Sequence, residues 1–211
     1  MSIQIEVPYQ EKNNAKGKGA FWDNDIKTWY IPNSNKIDEF QEWIPNRTDT
    51  IIKTPILIAK NFRDCWKCKK DTPLIAIGGK EILVKDFVED ESDKIEWFVE
   101  DNSLALFYNI VYLPIQLIKI VQSKFPFFKY TYSKTIKGKY WANNCIHCNS
   151  IQGDFFNHCE PGGAFCPMSN EAGSFIKLFK IDYKHDIPII GSFSFDDYNF
   201  IKTNDIELIV I

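Results

Sequence analysis

The sequence predicts an α+β fold in two parts: a small ββ-plus-helices module over residues 1–48 and a larger α+β domain over residues 49–211. Three observations predict it. Short alternating runs closed by prolines sit beside an apolar set at helical spacing in the first 45 residues. Four of the six cysteines form two Cys-x-x-Cys pairs, each flanked by strand-like sequence, with a long insertion from 69 to 144 between them. A hydrophobic fraction of 45% and an aromatic fraction of 15% give 211 residues enough apolar surface for a core, which argues against disorder.

Taken in order, Ile3-Gln4-Ile5-Glu6-Val7 alternates as a half-buried strand does, and Pro8 ends it. Glu11 to Ala20 predicts a short, weak helix. Lys27-Thr28-Trp29-Tyr30-Ile31 makes a second strand closed by Pro32, and Ile37 to Ile44 places Ile37, Phe40, Ile44 and Trp43 on one helical face. Pro45-Asn46-Arg47-Thr48-Asp49 reads as a linker. Pro55 to Ala59 is a strand entering the first cysteine pair, Pro73 to Ile77 a strand leaving it, and Gly78-Gly79 a tight turn into Ile82-Leu83-Val84. Ser103 to Gln122 carries an apolar-rich helical pattern broken at Pro114. Lys139 to Ala142 is the strand before the second pair. No apolar run reaches the length of a membrane span, and no basic-then-apolar leader opens the chain, so a cytoplasmic, reduced protein is expected.

The pairs are Cys65-Trp66-Lys67-Cys68 and Cys145-Ile146-His147-Cys148. A two-residue spacer lets one backbone turn present two thiolates to one ion, and four thiolates suit the tetrahedral preference of Zn2+. Haem attachment would need His after the second cysteine, where Lys69 and Asn149 stand; a thioredoxin-like motif would open a helix, whereas Cys68 leads towards a strand. The insertion is no obstacle. Closing so long a loop costs roughly 1.4 kcal/mol more than a ~15-residue one, against on the order of 10–16 kcal/mol from structural zinc. The 49–211 domain therefore resembles a split four-cysteine zinc ribbon, with Zn2+ on Cys65, Cys68, Cys145 and Cys148. Such a ribbon implies a closed, structural site. Asn149 tolerates the left-handed conformation a knuckle needs; Lys69 suits it less. Arg63, Lys67, Lys69 and Lys70 offset the thiolate charge.

Cys159 and Cys166 lie with His158 around a Glu160-Pro161-Gly162-Gly163 turn. A second metal site from His147, His158, Cys159 and Cys166 is the sharper reading, and small, partly buried apolar residues the plainer one. No phosphate-binding glycine loop, nucleophile elbow or His-Glu-x-x-His helix occurs, and no catalytic residues are assigned. Asp90-Glu91 and Asp196-Asp197 read as solvated charge.

The N-terminal module resembles a small domain of unknown function that recurs beside plasmid primases, topoisomerases and other DNA-processing proteins of mobile elements. The resemblance covers residues 3 to 45 and rests on Val7-Pro8-Tyr9, Glu11-Lys12, Ala15-Lys16, Gly19-Ala20, Trp22-Asp23, Lys27 and Trp29-Tyr30-Ile31-Pro32. It implies the company of DNA-processing enzymes. Phe21 stands where that family often has a basic residue.

Charge points the same way. The net value is only −3, yet no acidic residue occurs between Asp101 and Asp154, while Lys119, Lys124, Lys129, Lys134, Lys137 and Lys139 are interleaved with Tyr130, Tyr132 and other aromatics. Lysines neutralise phosphate and rings stack on bases, so Lys124, Lys129, Lys134, Lys137, Lys139, Tyr130 and Tyr132 are expected to bind nucleic acid. A strand pair with aromatics inside and lysines outside is the structural alternative. From Asp154 onward four Lys face nine acidic residues, which suits a protein-binding or inhibitory surface acting on a basic host protein. The expectation is a non-enzymatic zinc-binding accessory protein of a plasmid or phage, partnered by nucleic acid or a nucleic-acid enzyme, with no membrane and no small-molecule substrate.

Overall fold

A computed structural model describes residues 2–88, 91–101, 103–196, 198–203 and 206–209. It begins with strand β1 (Ile3–Ile5), a 3-10 turn (Tyr9–Glu11) and helix α1 (Lys12–Lys18). Strands β2 (Phe21–Asp23) and β3 (Thr28–Ile31) follow, giving an antiparallel sheet in the order β1-β3-β2. The 3-10 segment Ser34–Trp43, kinked at Phe40, buries Ile37, Phe40 and Trp43. Residues three apart share one stripe of a helix with three residues per turn, so this spacing fits 3-10 better than α geometry. The three pack with Ile3, Ile5, Ala15, Trp29 and Ile31, and the Trp43 indole N–H donates to Glu11 Oε2 at 2.6 Å.

The remainder is dominated by one eleven-stranded sheet. Its strands are β4 (Thr50–Ile52), β5 (Ile56–Asp64), β6 (Asp71–Gly79), β7 (Ile82–Val88), β8 (Glu91–Glu100), β9 (Ala105–Tyr112), β10 (Phe128–Ser133), β11 (Gly138–Asn143), β12 (Lys177–Ile181), β13 (Ile187–Phe195) and β14 (Ile206–Ile209). The order is β14-β12-β5-β6-β9-β13-β4-β7-β8, and the β10–β11 hairpin joins it where Trp141 pairs with Ile110 of β9. Helix α2 (Ile115–Lys124), a π-helical turn (Phe155–Cys159) and helix α3 (Asn170–Ser174) are the remaining helices after residue 49 among the described residues.

Both faces of the sheet centre are covered, which explains the unbroken apolar runs there. Ile56, Ile58, Ile75 and Ile77 face a core completed by Phe107, Ile110 and the α2 residues Leu117 and Val121. Leu57, Ala59, Leu74 and Ala76 face the opposite way, under Phe165, Ile176 and Leu178. The N-terminal core reaches this body through Ile51 and Leu83, and β1 is tied to it by Gln4 N–H donating to Asp186 O at 2.9 Å and Asp186 N–H to Ser2 O at 2.8 Å.

The α+β expectation is corrected: the chain is mostly β, with 44% strand against 21% helix, and a large curled sheet replaces a ββ-plus-helices module followed by a zinc ribbon. Two local misreadings explain much of this. Ser103 to Gln122 is a strand and then a helix, with Pro114 as the α2 N-cap rather than a mid-helix break; an apolar run buried on both faces has no period to separate strand from helix. Gly78 and Gly79 end β6 instead of making a turn. A Cβ on Gly78 would strike the Ala105 carbonyl, and one on Gly79 the Ile52 side chain.

Candidate metal centre and basic hairpin

The turn between β5 and β6 carries Cys65 and Cys68, and a short hairpin closed by the Asn144↔Ile151 bridge carries Cys145 and Cys148. The two turns have the same backbone design. Lys69 N–H donates to Cys65 O at 2.9 Å and Cys65 N–H to Lys70 O at 2.9 Å; Asn149 N–H donates to Cys145 O and Cys145 N–H to Ser150 O at the same distances. Lys69 (φ 61°) and Asn149 (φ 57°) both take the left-handed conformation. Lys69 thus does what Asn149 does, without a short polar side chain to ease it.

The four sulfurs lie within 4.8 Å of one another, with Cys65 Sγ to Cys148 Sγ at 3.6 Å and Cys68 Sγ to Cys145 Sγ at 3.7 Å. A tetrahedron with metal–sulfur bonds of about 2.3 Å has edges of about 3.8 Å. The donor set therefore fits a metal ion, and all four ligands come from protein. Donors surround the sulfurs: Gln152 Nε2 reaches Cys65 Sγ at 3.3 Å, His147 N–H reaches Cys145 Sγ at 3.4 Å, and Ser150 Oγ lies 3.2 Å from Cys148 Sγ. Burial raises the Cys65 thiol, but the N–H groups of Cys68 and Lys67 and the neighbouring thiols outweigh it and bring it down to about 6. Cys68 moves up to about 11: the Lys70 N–H opposes this, while burial and protons shared with the other thiols prevail. The Ser150 hydroxyl lowers Cys148. The knuckles are also cross-tied, Trp66 Nε1 donating to Ile151 O at 2.7 Å and Ile146 N–H to Thr72 Oγ1 at 3.2 Å.

Sequence reasoning overlooked Asn143. Buried beside the second knuckle, its side-chain amide accepts from Ile75 N–H and donates to Ile75 O, both at 2.8 Å, copying a strand pairing and fastening β11 to β6. The signal was there: two amides, Asn143-Asn144, directly after an apolar strand and before Cys145.

The second group of candidates does not converge. His147 lies at the knuckle with Nε2 2.9 Å from Asp71 O, whereas His158 is buried in the π-helical turn, stacked on Tyr108 at 5.1 Å and tilted against Phe165 at 5.0 Å. Among the described residues, the four-thiol cluster is the one group of three or more such side chains placed to hold a metal. Burial presses His158 down to about 3, and its Nδ1 has no hydrogen-bond partner among the described residues. Cys159 is exposed and Cys166 half-buried. Nearby, Asp154 accepts Asn109 N–H at 2.7 Å, and burial pushes its carboxyl up to about 7.

The basic stretch divides between two places. Lys124 ends α2, while Lys129, Tyr130 and Tyr132 lie on β10, Lys134 and Lys137 in the turn, and Lys139 on β11. Cross-strand partners share a face, so Tyr130↔Trp141 and Tyr132↔Lys139 line one side with Phe128. Phe128 stacks on Trp141 at 5.8 Å, Tyr130 meets the same indole at 5.5 Å, and the tyrosines remain 49% and 53% exposed. Tyr140, on the other side, is buried, and Lys129 there donates to Asn149 Oδ1 of the second knuckle at 2.8 Å. Among the C-terminal acids, Asp196 turns its carboxylate onto the N–H groups of Phe200 and Ile201 at 3.1 and 2.7 Å, while Asp197, like Asp90, lies outside the described residues. No helix among the described residues is long and apolar enough to cross a membrane.

A family model described as "Domain of unknown function (DUF5710)" matches residues 3–45, the span of the N-terminal resemblance, and leaves the cysteine knuckles outside it. Two Escherichia coli proteins named DNA primase TraC are similar to this chain. One is 27% identical over 95 residues, 44% of this chain and 9% of the primase; the other is 44% identical over 39 residues, 18% of this chain and 3% of the primase. The chain thus spans under a tenth of the length of either relative. No solved structure matches it.

Proposed function

We propose that this chain is a non-enzymatic, zinc-clamped accessory protein of a plasmid or similar mobile element, which engages nucleic acid beside a DNA-processing enzyme. Zn2+ is the ion because four thiolates at tetrahedral spacing suit a borderline-soft ion without redox chemistry, and a site closed by protein ligands leaves no position to activate water. In this reading residues 1–48 form the module that keeps company with primases, and residues 49–211 carry the contact surface in a reducing cytoplasm.

One observation carries the nucleic-acid part: Tyr130 and Tyr132 stay about half exposed on the same side of a hairpin as Lys139, with Lys134 and Lys137 in the adjoining turn and Lys129 on the opposite side. A hairpin serving its own core would turn those rings inward, as it does Tyr140. Lysines on phosphate and rings on bases are the two parts of a sequence-tolerant site. The test is binding of the metal-loaded chain to labelled nucleic acid across a salt series. A falling affinity with rising salt, and a shallower slope for a Lys129→Gln, Lys134→Gln, Lys139→Gln triple variant, are expected. Binding indifferent to salt and to the three changes would refute it.

A further inference from the structure

We infer that the nucleic acid taken by this chain is single-stranded and that Trp66, at the tip of the first knuckle, is one of its stacking platforms; this rests on the reading above and adds to it a strand class and a residue. Trp66 is 62% exposed although its indole N–H is held by Ile151 O at 2.7 Å. It makes no ring–ring contact among the described residues. An indole fixed at its polar edge and bare elsewhere has already lost rotamer freedom, so a base stacking on it orders little that was free before.

The same tether places the ring. Ile151 pairs with Asn144, whose side-chain amide reaches the Thr131 hydroxyl of β10 at 3.4 Å, and Lys129 spans from β10 to Asn149. Trp66 thus stands beside the Lys129 and Thr131 face of the hairpin, opposite to the face that displays Tyr130 and Tyr132. Exposed Lys67, Lys69 and Lys70 flank it, with Arg63 behind, against two acids, Asp64 and Asp71, paired at the base of the turn. An exposed ring flanked by lysines suits a strand whose base faces are free; a duplex keeps those faces inside its own stack and shows only base edges.

The experiment is fluorescence anisotropy on the full metal-loaded chain, with a labelled oligothymidine of about twenty nucleotides, longer than the ~4–16 of common single-strand sites, and a duplex of equal length. The strand is expected to bind at least about tenfold more tightly than the duplex. Trp66→Ala should weaken strand binding by about fivefold or more, and Trp66→Phe, which keeps a ring, should restore most of it at unchanged zinc content. A duplex bound as tightly as the strand, or no effect of Trp66→Ala at full zinc content, overturns the inference while leaving nucleic-acid binding in place. Should Trp66→Ala lose its zinc, Trp66→Leu, which keeps apolar bulk without an aromatic face, carries the test at full zinc content, and strand binding equal to that of Trp66→Phe overturns it. Failure of both probes to bind sinks this inference together with the reading beneath it.

Discussion

Two regions of this molecule hold cysteine and histidine close in sequence, and only one gathers them. At the knuckles, Cys65, Cys68, Cys145 and Cys148 meet within 4.8 Å although a long insertion separates the pairs. Around the π-helical turn, His158 and Cys159 are adjacent in sequence, yet one is buried between aromatic rings and the other is exposed. Convergence follows from a turn that aims two side chains at one point, not from nearness along the chain. Each knuckle turn has that geometry, fixed by two backbone hydrogen bonds and a left-handed residue.

The sharpest way to break this contrast is to remove the ion or its ligands. Chelation, or a Cys65→Ser, Cys148→Ser double change, leaves buried thiols with no cation. We expect loss of one bound zinc per chain by elemental mass spectrometry and a fall in Tm on the order of 10 °C or more. Cys159→Ser with Cys166→Ser should cost under about 1 kcal/mol and leave the zinc in place, because neither sulfur is fully buried. Equal losses from both pairs would erase the distinction.

A smaller effect tests how the second knuckle is fastened. Asn143→Ala leaves the N–H and the C=O of Ile75 buried without partners, at a cost of roughly 2–4 kcal/mol in denaturant unfolding. An Asn143→Asp variant keeps the acceptor for Ile75 N–H but sets a carboxylate against Ile75 O, so it should not rescue. Full stability of either variant would show that Asn143 does not fasten β11 to β6.

The histidine region offers a pH test, with two groups of opposite sign. Asp154 has a folded pKa of about 7, raised by burial, so its stabilising share is complete below the ordinary carboxyl value and is lost as pH rises towards 7. His158 is depressed to about 3, so its share is complete above the ordinary imidazole value and is lost as pH falls through the acid range towards 3. Between about pH 4 and 6.5 the two slopes oppose each other. Asp154→Asn removes the first and keeps an oxygen for Asn109 N–H. Its stability should rise more steeply with pH in that window than that of the parent chain, and parallel curves by urea titration would contradict the burial of Asp154.

How much of this was legible follows the same division between local and distant causes. The cysteine spacing, the first helix and the Ile37, Phe40 and Trp43 stripe are local, and the sequence displays them. The eleven-stranded sheet is not local: Ile58 pairs with Ile77 on one side and with Phe179 on the other, and no short window of sequence records such a partner. β12, β13 and β14 fall in a stretch whose acidic balance has the look of a charged surface and hides its strands. Gly78 and Gly79 look like a turn because glycine serves turns most often; here it serves the close approach of β9 and β4 to β6.

The finest test lies between the two knuckles themselves. Lys69 and Asn149 hold the same left-handed conformation, but only asparagine has a short side chain suited to it. Lys69→Gly relieves that strain and, because Lys69 has no side-chain partner among the described residues, forfeits only a charge near the thiolates; a gain of roughly 0.5–1 kcal/mol is expected. Asn149→Gly relieves less and gives up the Lys129 Nζ bond at 2.8 Å, so it should be neutral or slightly destabilising. Thermal unfolding of the two zinc-loaded variants measures the difference. Equal shifts would mean that the left-handed residue is held by the ion at no separate cost, and the matched turns would then follow from metal binding and not from backbone preference.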